Sequence, residues 1–317
     1  MDEFDLIVRY FKPLELTSPE LLLGIGDDAA VIAVPPAARL VVAVDTLVEG
    51  VHFPAGLRAD AIGHRLAAVN LSDLAAMGAL PRFATLALTM PQLNEPWLAA
   101  FAAGLGRTLQ AAGVSLIGGD TTRGPLTLTL QMLGFVNGAP LTRRGAQCGD
   151  VIAVSGSLGD ARAGLDRALA VPLAADDDAL LARFLWPTPR LALGSALRSL
   201  ASAAIDVSDG LLADIGHIMA QSGCRALVDI ERLPLSAALL AGVGLATARD
   251  YALSGGDDYE LAFCIPAARL AAAQQAAQST EVSLTVIGQV VSGAGVQCHD
   301  SAGHDVTPRS GGYRHFI

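Results

Sequence analysis

Short apolar, β-branched runs alternate with longer stretches of helical periodicity along the whole chain. This alternation limits the fold most, favouring an α/β arrangement over an all-α or all-β one. Arg39–Asp45 reads as a strand, Ala59–Met77 as a helix and Phe83–Met90 as a second strand. Asn94 is a candidate N-cap for a helix Glu95–Ala112, in which Leu98, Phe101, Leu105 and Leu109 share one face and Gly113 ends the run. Val114–Ile117 and Leu126–Val136 complete a first block of strands. Asn137–Gly149, with its Pro, Gly and basic residues, is the expected boundary, giving domains 1–138 and 139–317. The second block opens with a strand at Val151–Ser155 and helices to about Leu200. A strand Ala204–Val207 follows, then a helix Asp209–Gln221 that Ser208 can cap, strands Arg225–Ile230, Tyr259–Ile265 and Val282–Val291, and a helix Ala267–Gln278.

The length of 317 residues agrees with two domains of roughly 150 residues each. A 52% hydrophobic, 16% charged composition excludes intrinsic disorder. The net charge of -10 argues against binding to nucleic acid or an anionic membrane, both of which reward a basic face. An anionic small substrate stays open, because bound cations reverse the local sign. The four cysteines lie far apart without a C-x-x-C pair, as expected of small buried hydrophobes in a reducing compartment. The acidic N-terminus lacks the pattern of a signal peptide, and no run of about 18 apolar residues occurs. A cytoplasmic protein without a membrane span is expected.

The aspartates are not scattered. They fall at strand ends and in glycine turns: Gly26-Asp27-Asp28, Asp45-Thr46, Gly118-Gly119-Asp120, Asp206-Val207-Ser208-Asp209-Gly210 and Gly255-Gly256-Asp257-Asp258. One such pair is ordinarily a turn residue or cap. Five at comparable places point further, since strand ends are where α/β proteins bind ligands and gathered carboxylates repel one another unless they share cations. Asp73 adds to this. With Ile62, Leu66, Val69 and Ala76 it shares one face of the Ala59–Met77 helix, a carboxylate in an apolar stripe. Asn70, one turn earlier, is placed to donate to or orient the same group.

Carboxylates with water and phosphate oxygens suit Mg²⁺, whereas the dispersed histidines suit no zinc site. Neither a P-loop nor a kinase glycine loop is present, and the single lysine, Lys12, sits in the N-terminal segment. Arg143 and Arg144 are therefore the candidates for holding a polyphosphate, and Ser208 at a helix start offers an anion site.

Seven segments, in order and over nearly the whole chain, resemble the thiamine-monophosphate kinase family. They are Gly24–Ala30 (GIGDDAA), Asp45–Phe53 (DTLVEGVHF), Val69–Ala79 (VNLSDLAAMGA), Ile117–Pro125 (IGGDTTRGP), Ala204–Leu211 (AIDVSDGL), Leu253–Leu261 (LSGGDDYEL) and Gly312–Phe316 (GYRHF). The resemblance implies an α/β (α+β) fold of the two-domain aminoimidazole-ribonucleotide synthetase type. An N-terminal mixed sheet with helices would bind ATP and metal and form a homodimer through its strands. The C-terminal α/β domain would complete the nucleotide and substrate sites. It further implies Mg²⁺-dependent transfer of the ATP γ-phosphoryl group to thiamine monophosphate, giving thiamine diphosphate and ADP. Several Mg²⁺ ions would be held by Asp28, Asp45, Thr46, Asp73, Asp120, Asp206 and Asp209, with Asp73, Asp120 and Asp209 at the chemistry. Gly119, Asp120, Arg143 and Ser208 would contact ATP, and His52, Asp257 and Tyr313 the acceptor. The attacking phosphate oxygen is already ionised near neutral pH, so no strong general base is expected.

Two alternatives stay open. A selenophosphate or aminoimidazole-ribonucleotide synthetase would share fold and metal cluster but not the GGDDYEL and GYRHF segments. An acidic cation-binding module would explain the carboxylates but not Arg143, Ser208 or the aromatic C-terminal motif.

Overall fold

The computed structural model describes residues 3–170, 178–308 and 312–313. The chain opens with a short helix α1 (Glu3–Leu6), and strands β1 (Leu21–Leu23) and β2 (Val31–Ile32) pair antiparallel. They are followed by β3 (Ala38–Val48), α2 (Ala59–Ala76), β4 (Leu80–Met90), α3 (Glu95–Ala111), β5 (Ser115–Arg123) and β6 (Thr127–Asn137). These strands form a four-stranded mixed sheet in the order β3-β6-β4-β5, with β4 and β5 parallel and the other pairs antiparallel.

Alternation along β3 decides which face is covered. Val41, Ala43, Asp45 and Leu47 point to the covered side, whereas Leu40, Val42, Val44 and Thr46 are exposed. On the covered side, buried Leu86, Leu88, Leu128, Leu130 and Met132 share the core with Ile62, Leu66 and Val69 of α2. The two helices cross closely: a Cβ on Gly63 would lie 2.2 Å from the Phe101 carbonyl oxygen, and one on Gly104 2.0 Å from that of Asp60. Asn94 caps α3 as expected, its side chain accepting from the Trp97 N–H at 3.1 Å.

The second sheet is built from β7 (Val151–Ser155), β8 (Ala203–Asp206), β9 (Arg225–Asp229), β10 (Leu261–Ile265), β11 (Leu284–Val291) and β12 (Gly295–His299), in the order β12-β9-β11-β7-β10-β8. All pairs are antiparallel except β12 with β9. The helices are α4 (Asp160–Ala170), α5 (Ala179–Leu185), α6 (Leu191–Leu197), α7 (Leu211–Ser222), α8 (Ala237–Ser254) and α9 (Leu270–Ser279). The chain divides into two compact units, Met1–Leu74 with Ala79–Gly138, and Ala75–Gly78 with Ala139–Ile317.

Four expectations need correction. The Gly118-Gly119-Asp120-Thr121-Thr122 segment does not follow a strand but lies inside β5, because Gly119 (φ 153°) runs against β4, where a Cβ would stand 1.9 Å from the Leu86 carbonyl oxygen. The strand expected from Tyr259 starts at Leu261, since Asp257 and Tyr259 are left-handed (φ 66° and 51°). Helix α7 starts at Leu211 behind Gly210, not behind Ser208. Cys224, Cys264 and Cys298 are buried, but Cys148, in the polar segment before β7, is exposed and its thiol meets that of Cys224.

Candidate active site

The first unit brings Asp45 and Asp73 together. Asp45 sits on the covered side of β3, and its carboxyl is hydrogen-bonded to that of Asp73 on α2. Burial raises the Asp45 pKa, with the Asp73 contact opposing. Two carboxyls in contact bind a proton or a cation between them. The apolar stripe around Asp73 is as expected, with Ile62, Leu66, Val69 and Ala76 all buried. Asn70 is not. Its amide donates back to the Leu66 carbonyl at 3.0 Å, and its buried Oδ1 has no hydrogen-bond partner. Two carboxylates, with an amide oxygen one turn away on α2, are hard oxygen donors, the donor chemistry that suits Mg²⁺.

Thr46 and Asp120 lie on the other side of the sheet. Thr46 pairs with Thr129, Thr129 with Ala87, and Ala87 with Asp120, so all four share one row on the open face. Three strand spacings put Thr46 and Asp120 roughly 14 Å apart. Thr46 shares its hydroxyl hydrogen with Thr129 at 2.8 Å, and Asp120 accepts from the Thr121 N–H at 2.9 Å. Asp28 is exposed in the loop after β1. Asp27 turns its carboxylate onto the Asp28 N–H at 2.9 Å, as Asp120 does onto the Thr121 N–H. Lys12 braces this loop by donating to the Ile25 carbonyl at 2.6 Å. His52 is half-buried beyond β3, its Nδ1 accepting from the Val48 N–H at 3.0 Å, so the other ring nitrogen carries the proton of the neutral form.

The second unit joins nucleotide, metal and acceptor candidates through the main chain. Asp206 ends β8, buried, and Ser208 and Asp209 form the turn into α7. The Asp257 N–H donates to the Ser208 carbonyl at 2.8 Å, Tyr259 N–H to Val207 at 2.9 Å, Val207 N–H to Glu260 at 2.8 Å, and Tyr313 N–H to Asp209 at 2.9 Å. Gly256 (φ 68°) permits this approach, since a Cβ there would stand 2.5 Å from the Ser208 carbonyl oxygen. Tyr313 edges a groove of 480 Å³ that also touches Asp209, His217, Val296 and Thr307. The rest of its motif, Arg314 to Phe316, lies outside the described residues.

Ser208 does not offer the expected anion site. One oxygen of Asp214 accepts from the N–H groups of Ser208, Asp209 and Gly210 at 3.0, 3.1 and 3.1 Å, so the donors of the turn are already taken by a carboxyl of the protein's own. Asp214 is buried, and burial, with Asp206 and Asp209 beside it, pushes its carboxyl up to about 8. The sequence reading missed Asp214. The signal was there, an acid on the apolar face of Leu211, Ile215 and Ile218, the pattern that singled out Asp73. Arg143 is exposed. Its carbonyl accepts from Ser222 Oγ at 3.3 Å, and that hydroxyl also accepts from the Gly145 and Ala146 N–H groups, both at 3.2 Å, which ties the Arg143 loop to the end of α7.

Among the described residues, no three or more His, Cys, Asp or Glu side chains are gathered so as to hold a metal ion. The carboxylates stand instead as the Asp45–Asp73 pair in one unit and, in the other, as Asp206 and Asp209, near enough to act on Asp214 electrostatically but not gathered with it around one point.

The chain matches two domain families, the N-terminal domain of AIR synthase related proteins over residues 26–136 and their C-terminal domain over residues 147–301. It is 46% identical to the thiamine-monophosphate kinase of Escherichia coli K12, over 99% of this chain and 98% of that protein. The crystal structure of the thiamine-monophosphate kinase of Stenotrophomonas maltophilia K279a superposes with a TM-score of 0.88 at 48% identity, covering 94% of this chain and 96% of that one. AaThiL complexed with AMPPCP and TMP superposes with a TM-score of 0.79 at 33% identity, covering 99% and 97%. The whole length is thus accounted for by one kind of relative, and the chain belongs to the thiamine-monophosphate kinase family, on the two-domain AIR-synthase-related fold.

Proposed function

We propose that this chain transfers the γ-phosphoryl group of ATP to the phosphate of thiamine monophosphate, giving thiamine diphosphate and ADP. The observation that carries the reading is the main-chain junction of Ser208 and Asp209 with Asp257 and Tyr313, which sets nucleotide and acceptor candidates a hydrogen bond apart. Asp28, Asp45, Thr46, Asp73, Asp120, Asp206 and Asp209 are the residues that would hold Mg²⁺. Bound Mg²⁺ supplies charge neutralisation between two polyanions. The chain's own part is to bind and orient. Gly119, Asp120 and Arg143 hold the nucleotide together with the Ser208 side chain, its N–H being taken by Asp214, and the Arg143 guanidinium offers a planar fork to phosphate oxygens. His52, Asp257 and Tyr313 hold the acceptor. The attacking oxygen is already ionised, so no residue is asked to take a proton from it. The test is ADP release with and without thiamine monophosphate. Release that depends on the acceptor, yields thiamine diphosphate, stops with a chelator and returns with Mg²⁺ is the expected result. Acceptor-independent ATP hydrolysis, or consumption driven by a different acceptor, would overturn it.

Thiamine carries a cationic thiazolium ring, and an aromatic face within about 6 Å of a cation contributes roughly 0.5–2 kcal/mol. Tyr313, half-exposed at its groove, is the candidate face. Tyr313→Ala should therefore raise KM for thiamine monophosphate by about tenfold while leaving KM for ATP within about twofold. Tyr313→Phe should keep most of the affinity, because the ring carries the attraction. Equal losses for both substrates with a lower melting temperature would assign Tyr313 to packing.

A homodimer through the N-terminal strands belongs to the same reading. Its support is the open side of β3, an edge strand on which Leu40, Val42 and Val44 are 42%, 50% and 58% exposed. Val44→Lys should halve the mass measured by sedimentation equilibrium, and an unchanged mass would remove this face from the interface. A cytoplasmic setting is supported by four free thiols, and no helix among the described residues is long and apolar enough to cross a membrane.

A further inference from the structure

The Gly256–Glu260 segment holds three acids, of which the proposed function uses only Asp257. The backbone here is strained. Gly256, Asp257 and Tyr259 have φ of 68°, 66° and 51°, and two of these three are not glycine. Side-chain-bearing residues stay left-handed only where their surroundings over-determine them.

Those surroundings have an alternating pattern. The odd-numbered residues bond through the main chain, Asp257 N–H to Ser208 and Tyr259 N–H to Val207. The even-numbered residues are held through their side chains, Glu260 also accepting from the Val207 N–H through its carbonyl. The Asp258 carboxylate, buried, accepts from the Gly159 N–H at 2.7 Å and the Ala161 N–H at 3.3 Å, at the start of α4. Glu260, wholly buried, accepts from Arg190 Nε and Nη2 at 2.7 and 2.6 Å, Arg183 Nη2 at 3.0 Å and Ser155 Oγ at 2.6 Å. Ser155 Oγ in turn accepts from the Leu261 N–H at 2.8 Å, where β10 begins. Asp258 and Glu260 therefore clamp the segment from below at the two positions flanking Tyr259. Without them the left-handed backbone is held by its main-chain bonds to Val207 and Ser208 alone, and relaxation toward an extension of β10 would shift Asp257 relative to Ser208.

We infer that Asp258 and Glu260 are positioning residues, which hold the left-handed backbone and so aim Asp257 at the organic half of the acceptor. This rests on the proposed contact between Asp257 and thiamine monophosphate, and the experiment separates the two. KM for each substrate and the melting temperature are measured on the full chain for Asp257→Ala, Asp258→Ala, Asp258→Asn and Ser155→Ala. Asp258→Ala should raise KM for thiamine monophosphate by about tenfold or more, with KM for ATP within about twofold. Asp258→Asn, which keeps the shape and one acceptor, should fall between Ala and the native residue. Ser155→Ala, which removes one bond to Glu260 and one to Leu261, should shift the same KM in the same direction, and it carries the test should Asp258→Ala not fold. Amide hydrogen exchange adds a direct readout: Asp257 and Tyr259 should lose protection in the variants while β8 and β10 keep theirs. If Asp257→Ala raises the acceptor KM but the Asp258 and Ser155 variants do not, or if both KM values move together with melting temperature, the anchoring role is wrong. If Asp257→Ala leaves the acceptor KM unchanged, the contact itself is wrong and the anchoring role falls with it.

Discussion

Asp73→Asn should lower turnover by about 10²- to 10³-fold and leave the fold standing. Asparagine keeps the outline of the side chain within the stripe of Ile62, Leu66, Val69 and Ala76, so the packing of α2 is undisturbed. What disappears is one of two carboxyls in contact. In the metal-free protein the introduced amide can donate to Asp45 where the two carboxyls were hydrogen-bonded, which should leave the melting temperature about unchanged. With Mg²⁺ the order should reverse, because the native pair gains binding energy on folding that the variant lacks. Turnover at saturating Mg²⁺ and melting curves with and without chelator check both halves. Near-native turnover at saturating Mg²⁺ would make Asp73 a structural residue.

The second large effect is expected at Asp214, on stability. Asp214→Ala leaves the N–H groups of Ser208, Asp209 and Gly210 without their acceptor in a turn of which only Gly210 is fully buried, which costs roughly 2–4 kcal/mol and about 10 °C of melting temperature. Asp214→Asn should cost far less, since an amide oxygen accepts the same three bonds. pH distinguishes the native residue from Asn. Its carboxyl lies near 8 when folded and metal-free, against an ordinary value of about 3.9. Between those values the folded chain holds a proton that the unfolded chain has released. The resulting stability is complete below about pH 4 and is lost as pH rises through about 8. Melting temperature in chelator should therefore fall across this window in the native protein, and less steeply in Asp214→Asn. A slope identical in both would mean that Asp214 is already ionised at low pH.

Much of this was legible in the sequence where a signal is local. Helix α2, its acid-bearing stripe and the capped start of α3 depend on residues three or four apart, and periodicity reports them directly. The thiamine-monophosphate kinase resemblance was carried by short motifs and stands at full length. Readings failed where a distant partner redefined a local signal. The glycines before Asp120 looked like a turn because the demand on Gly119 comes from β4, an element more than thirty residues earlier. Ser208 is a different case: it looked like a helix cap because Asp214, four to six residues on and legible as an acid on an apolar face, was not read as the acceptor of the N–H groups around it. Strand β12, short and half polar, is defined only by pairing with β9, about seventy residues away. Asp258 stood only as the last residue of a glycine turn and Glu260 had no reading of its own, since their partners Gly159, Arg183 and Arg190 lie between 70 and 99 residues upstream.

The junction between the Val207–Asp209 turn and the Asp257–Glu260 segment is written in peptide groups, which every amino acid carries. Side-chain drift along either segment therefore leaves its dimensions untouched so long as the acids anchoring it, Asp214 under one and Asp258 and Glu260 under the other, are kept. Those anchors, and a position such as Gly256 where a Cβ has no room, constrain descent through the fold rather than through chemistry. A lineage of such chains is free to retune what its pocket prefers by exchanging side chains around a fixed frame, so that preference for the acceptor and architecture of the site evolve at separate rates.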